Sequence, residues 1–253
     1  MRMQRFLSAT LAGVVWAAAP LWASAQQLTV SAAASLTNAF NELAPKFEAA
    51  QPGVTLRFNF AASGVLLQQV AQGAPVDVFV SADQATVTKG VEQKLFDADT
   101  KKDFARNTVV LITPLQGGVD LKTLADLGGP AVKRIAVGKL ATVPVGRYTK
   151  EVLDTARLWA ALEPRLVYAD SVRQVLDYVS RGEVEAGFVY RTDAAVAADK
   201  VKVLLTAEGH TPVTYPVVAV SDSKHKALAR DFVAYLLTPA AQDVLAKYGF
   251  GKP

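Results

Sequence analysis

Leu28-Thr29-Val30-Ser31-Ala32-Ala33-Ala34-Ser35-Leu36-Thr37-Asn38-Ala39-Phe40 changes from one repeat to another within a few residues. Its opening, Leu28-Thr29-Val30, is a short β-type run. From Leu36 the apolar side chains recur at Leu36, Phe40, Leu43 and Phe47, which is one face of a helix. Small residues and one serine fill the join. The first turn of a helix leaves backbone N–H groups without intrahelical partners. A strand that enters a helix this way brings bare donors to the carboxyl edge of a sheet, where α/β proteins bind their ligands.

The same alternation continues along the chain. After Pro52-Gly53, residues 54–60 place Val54, Leu56, Phe58 and Phe60 on one side of a strand. Residues 65–71 read as a helix ended by Gly73-Ala74-Pro75, and residues 77–80 as a buried strand. Strands are predicted at 109–112, 135–137, 166–168, 186–190, 203–205 and 217–220. Helices are predicted over 146–161, over 172–179 with Gly182 as its stop, and over 224–237 and 239–248. Strand and helix in this order predict an α/β fold with mostly parallel sheets. So many short strands suit two lobes with a cleft between them. Tyr215-Pro216 is expected to mark a crossing between lobes, because proline cannot donate within a central strand.

Composition narrows the function. The chain has 253 residues, 51% hydrophobic and 20% charged, enough apolar content for a real core. It has no cysteine, which excludes disulfides, thiolate metal sites, a cysteine nucleophile and lipid attachment through cysteine. Its two histidines, His210 and His225, cannot form a His-rich metal site. Residues 1–25 read as a cleaved signal peptide: Arg2 and Arg5, an uncharged apolar stretch, then Ala23-Ser24-Ala25 at the cleavage point. The apolar stretch is shorter than the roughly 20 residues a membrane span needs. A soluble periplasmic protein follows from that pattern. Removing the leader takes two arginines from a net charge of +4, and no dense basic block remains. That argues against nucleic acid.

Four strand-to-helix junctions share one character: residues 32–36, 61–64, 143–148 and 170–173. Helix starts converging on one cleft make an anion site from neutral donors. Ser35 and Ser63 would each add a hydroxyl, or would merely cap their own helices, as serine often does. Arg147 and Arg173 fall in first helical turns, where a cation is disfavoured; they lie near the anion, pair with lobe-closing carboxylates or face water, and pairing or solvation is favoured. Asp77 and Asp83 read as loop or cap acids. A hydrolase is disfavoured because no Gly-x-Ser-x-Gly elbow occurs, and no phosphate-binding P-loop is present.

Five blocks then carry a resemblance in order along the chain: residues 28–40, Phe60-Ala61-Ala62-Ser63-Gly64 with Leu66, residues 73–83, residues 143–148 and residues 182–194. Together they resemble the periplasmic molybdate-binding proteins of ABC-type importers. The resemblance implies a two-lobed type II periplasmic binding fold, with residues 26–106 and 218–253 in lobe I and residues 107–217 in lobe II. It implies that Ser35 and Ser63 hold the anion by hydroxyl and N–H, Val145 and Val172 by backbone N–H, and Tyr190 by its hydroxyl. Molybdenum would be held as hydrogen-bonded molybdate, not by direct metal ligation. Tungstate as a second ligand, an inner-membrane permease as partner, a monomeric state, no cofactor and no enzymatic activity complete the expectation. Sulfate, phosphate or a carboxylate is the alternative ligand. Two departures bear on the anion's identity: Val145 stands where the pattern has alanine, and Gly138-Lys139-Leu140-Ala141-Thr142 replaces an Asn/Asp-Pro segment. Lys139 adds a cation near the cleft or faces water, and lysine usually faces water.

Overall fold

The computed structural model describes residues 26–253, so the expected leader at residues 1–25 lies outside the described residues. β1 (Gln26–Ala33) passes through a 3-10 turn, Ala34–Leu36, into α1 (Thr37–Ala50). There follow β2 (Val54–Ala61), α2 (Ser63–Ala71), β3 (Val78–Val80), α3 (Gln84–Glu92) and β4 (Phe96–Asn107). The chain then crosses at Asn107-Thr108 into β5 (Val109–Pro114), β6 (Ile135–Gly138), α4 (Pro144–Thr155) and α5 (Trp159–Leu162). β7 (Leu166–Ala169), α6 (Val172–Ser180), β8 (Ala186–Tyr190), α7 (Arg191–Val196) and β9 (Val201–Thr206) complete the second lobe. The chain returns in β10 (Val213–Val220) and ends with α8 (Lys226–Tyr235) and α9 (Pro239–Lys247).

The strands form two five-stranded sheets, ordered β2-β1-β3-β10-β4 and β7-β6-β8-β5-β9. The α/β architecture stands, but each sheet is mixed rather than mostly parallel. β1 pairs in parallel with β2 and β3, and β6 with β7 and β8, as strands joined through helices must. β10 runs antiparallel to β3 and β4, and β5 antiparallel to β8 and β9. β10 and β5, the strands that carry the chain back to the first lobe and into the second, supply the antiparallel pairing, while β4 lies beyond β10, parallel to β3 and joined to it through α3.

The helix face read from Leu36, Phe40, Leu43 and Phe47 is buried throughout, each at most 1% exposed. Burial of such side chains stabilises by roughly 1.5–3 kcal/mol each. Phe40 and Phe47 both meet the edge of Phe232 on α8, with ring centroids 6.0 and 5.2 Å apart. This contact ties the last helices back onto the first lobe.

Three expectations need correction. The second lobe does not extend to residue 217, because β10 begins at Val213 and pairs wholly within the first sheet; the return crossing falls in residues 207–212. Tyr215-Pro216 is therefore not the crossing. Pro216 sits inside β10 at a register shift against β4, and its carbonyl accepts the Ser81 N–H at 3.0 Å. A bulge is where a sheet tolerates a missing N–H. The helix expected over 146–161 breaks after Thr155, where Arg157 adopts φ 58°. Leu158 N–H bonds the Leu153 carbonyl at 2.7 Å and Arg157 N–H that of Asp154 at 2.9 Å, which is the Schellman pattern with arginine in the position glycine usually holds.

Candidate functional site

Ser35, Ser63, Val145, Val172 and Tyr190, scattered over more than 150 positions of sequence, line one small cavity between the lobes. Ala82 from the loop after β3 lines it as well. Each lining element reaches the cavity at the carboxyl edge of a sheet strand, because the strand-to-helix joins lie there.

Ser63 is the first residue of α2 and is fully buried. It does not cap its helix. Its Oγ accepts the Ala82 N–H at 3.1 Å, which leaves the hydroxyl hydrogen free to donate. Ser35 makes no cap either, and its Oγ shares a 2.9 Å hydrogen bond with the Tyr215 hydroxyl. Other residues do the capping. Ser171 accepts the Gln174 N–H at 3.2 Å and Asp83 the Thr86 N–H at 3.2 Å. The cap explanation thus fails for the two serines singled out and holds for their neighbours.

Val145 is the second residue of α4, behind Pro144, and Val172 is the first residue of α6. Helix geometry gives neither N–H an intrahelical acceptor. Pro144 has no N–H to lose, and its ring fixes the helical φ, so it suits the first position. Gly146 follows for a steric reason: a Cβ there would lie 2.1 Å from the Gly138 carbonyl oxygen. The start of α4 is packed directly on the end of β6.

Tyr190, the last residue of β8, is 1% exposed, and its hydroxyl has no hydrogen-bond partner among the described residues. Burial, aided by the neighbouring Tyr215 ring, pushes its pKa well above the usual tyrosine value, so it stays a neutral donor. A buried hydroxyl without a partner costs roughly 1–3 kcal/mol, and such a group facing a cavity is suited to a ligand.

Among the described residues no carboxylate lines the cavity. Asp193 lies behind it, fully buried, with Oδ1 2.7 Å from Arg173 Nε and Oδ2 accepting the Tyr190 N–H at 3.3 Å. Burial pushes the Asp193 pKa up to about 6 against the pull of Arg173. Arg173 also donates to the Ser35 carbonyl across the lobes at 3.3 Å. The cavity wall is thus neutral, with helix N-termini facing it, while the Asp193 carboxylate is paired with Arg173 behind it.

The lobes are held together around this cavity. Arg147 on α4 pairs with Asp83 through Nε at 2.9 Å and through Nη2, which also reaches Thr86 Oγ1 at 3.0 Å. The Gly64 N–H donates to the Thr142 carbonyl at 2.9 Å, and the Tyr148 hydroxyl to the Ala82 carbonyl at 3.4 Å. A Cβ on Gly64 would lie 2.7 Å from Thr142 Cα and O. The unusual segment 138–142 thus meets the first lobe through Thr142, beside the contacts made by α4. Lys139 in it pairs with Asp170, and both side chains are about half exposed or more, so this ion pair lies in solvent rather than at the anion position.

Asp77 accepts from the Thr29 N–H at 2.8 Å and the Ser223 hydroxyl at 2.7 Å, a structural role. Among the described residues no group of three or more His, Cys, Asp or Glu could hold a metal ion, and no helix is long and apolar enough to cross a membrane. Neither histidine lines the cavity. Sequence reasoning does not single out Ala82, Asn107 or the hydroxyl role of Tyr215, and it includes Thr142 and Tyr148 only as members of longer segments. Ala82 falls within a block that carries the resemblance, but nothing in its own chemistry marks it.

Residues 28–251 match the family described as bacterial extracellular solute-binding protein. The molybdate-binding protein ModA of Escherichia coli (strain K12) is 38% identical over 233 residues, covering 88% of each chain. ModA of Haemophilus influenzae is 36% identical over 233 residues, covering 90% of this chain and 91% of its own. Among solved structures, the periplasmic molybdate-binding protein of Azotobacter vinelandii superposes with a TM-score of 0.79 at 26% identity, covering 89% of this chain and 99% of that one.

Proposed function

The chain belongs to the bacterial extracellular solute-binding proteins, and from that premise we propose that it captures molybdate between its lobes and presents it to an ABC-type permease. The anion is held by the hydroxyls of Ser35, Ser63 and Tyr190 and by the N–H groups of Val145 and Val172. Tungstate, a tetrahedral dianion of the same charge, is accepted by the same donors. The protein acts as a periplasmic monomer and does no chemistry on its ligand. Having no cysteine, it offers no thiol for lipid attachment.

The observation that carries the reading is the buried Tyr190 hydroxyl without a partner among the described residues, facing a cavity of neutral donors. Charge-assisted hydrogen bonds in such a place are strong. A fully ionised dianion needs only donors, whereas a protonated anion needs an acceptor, and no carboxylate among the described residues lines this cavity. The ModA relatives, named as molybdate-binding, support the choice of ligand.

The test is the double variant Ser35→Ala with Ser63→Ala. Each lost hydrogen bond to a charged ligand is worth about 1.5–3 kcal/mol, so molybdate should bind roughly 150- to 20,000-fold more weakly, with the far-UV circular dichroism unchanged. Wild-type affinity in that variant would overturn the assignment.

A further inference from the structure

Asn107 stands at the crossing from β4 to β5 and touches both lobes. Its Oδ1 accepts the Thr108 N–H at 2.9 Å, which fixes the orientation of the amide. The Nδ2 group then donates one hydrogen to Thr192 Oγ1 in the second lobe at 2.8 Å and the other to the Tyr215 hydroxyl in the first at 3.2 Å. Tyr215 is fully buried, and Ser35 is the remaining partner of its hydroxyl among the described residues. Were Ser35 the donor in that pair, the Tyr215 hydrogen would be buried without an acceptor. Satisfying every buried group requires Tyr215 to donate to Ser35. The Ser35 hydrogen is then directed away from Tyr215, and the cavity is where it finds an acceptor.

We propose that Asn107 is a positioning residue: through Tyr215 it holds the Ser35 hydroxyl as a donor to the bound anion, and by spanning Thr192 and Tyr215 it does so in the closed arrangement of the lobes. This rests on the assignment of Ser35 as an anion ligand. A relay of donors all pointing the same way is polarised toward the anion. No charge is added, so the relay works for a dianion without attracting cations.

The test reverses the relay with one nearly isosteric change. In Asn107→Asp, one carboxylate oxygen keeps the Thr108 N–H and the other can only accept. Tyr215 then donates to that second oxygen, Ser35 donates to Tyr215, and a lone pair of Ser35 faces the anion. Isothermal titration of the purified protein with molybdate should show at least 100-fold weaker binding. The same change made in a Ser35→Ala background should cost at least tenfold less, because the relay has lost its last member and only the repulsion of the added charge remains. A charge effect acting directly on the anion, or a general loss of structure, would weaken binding equally in both backgrounds and would overturn the proposal. So would wild-type affinity in Asn107→Asp. Should that variant not fold, Tyr215→Phe serves in the same cycle, with a loss of about 3- to 10-fold expected in the native background and none beside Ser35→Ala; equal losses in both would overturn the proposal. Absence of molybdate binding by the unaltered protein would instead count against the ligand assignment itself.

Discussion

Replacing Tyr190 by phenylalanine separates a binding role from a packing role, because the two make opposite demands. The ring fills a fully enclosed position, with its centroid 6.0 Å from that of Tyr215, and phenylalanine preserves that packing. The hydroxyl makes no hydrogen bond to the described residues, so its removal takes away no intramolecular interaction among them. Without anion, the melting temperature of Tyr190→Phe should hold or rise, by about 2–4 °C for each kcal/mol of relieved burial in a domain of this size. With molybdate the variant lacks one charge-assisted hydrogen bond worth about 1.5–3 kcal/mol. The dissociation constant should therefore increase roughly 10- to 150-fold. Differential scanning calorimetry and calorimetric titration measure the two quantities on one preparation. A variant that is destabilised without anion but binds it as tightly as the wild type would refute the reasoning, since the hydroxyl would then serve the fold and not the ligand.

Other expectations follow from the same geometry. Gly64→Ala puts a methyl 2.7 Å from the Thr142 backbone, so the lobes should stop short of full closure, and molybdate should bind about tenfold or more weakly; an unchanged ligand-induced contraction in small-angle scattering would contradict this. Arg147→Ala removes the pairing with Asp83 across the lobes, and because Arg147 is 27% exposed the loss is moderate, about tenfold, and takes the form of faster release rather than slower capture. Stopped-flow displacement reads both rates. Asp193 gives a pH signature. With its folded pKa raised to about 6 by burial, it holds a proton that the unfolded chain releases near pH 4, so its stabilising contribution is complete below that value and falls as the pH rises through 6. Denaturant melts between about pH 4 and 7 should show that slope, and Asp193→Asn should flatten it.

The place of the candidate site is legible in the sequence through its strand-to-helix joins, while the choice of the five residues within it comes from the resemblance. Strand-to-helix joins can be read from a change of period, and four of the five residues expected at the anion lie on such joins, with Tyr190 at a strand end. The hydrogen-bond network behind them cannot be read so. Asn107 and Tyr215 meet across 108 positions of sequence, and nothing local to either marks the contact. β4 escapes sequence reading for a different reason. Its buried residues Phe96, Thr100, Phe104 and Ala105 lack the alternation of a half-buried strand, and its pairing with β10 shifts register twice. α3 escapes because its buried face is Thr86, Val87 and Gly90, which carries little apolar signal. Pro216 misplaces the second crossing, since a proline that suggests a strand boundary instead occupies a bulge within β10.

A cavity of neutral donors between these lobes should reject a protonated anion such as hydrogen phosphate, and the spacing of the donors should separate molybdate and tungstate from the smaller sulfate. The most direct test is calorimetric titration of the protein, stripped of anion by denaturation and refolding, with molybdate, tungstate, sulfate and phosphate at matched ionic strength. Tight one-to-one binding of molybdate and tungstate is predicted, with sulfate and phosphate far weaker. Binding of phosphate or sulfate in preference to molybdate would contradict it, and would direct attention to the Val145 side chain and to residues 138–142.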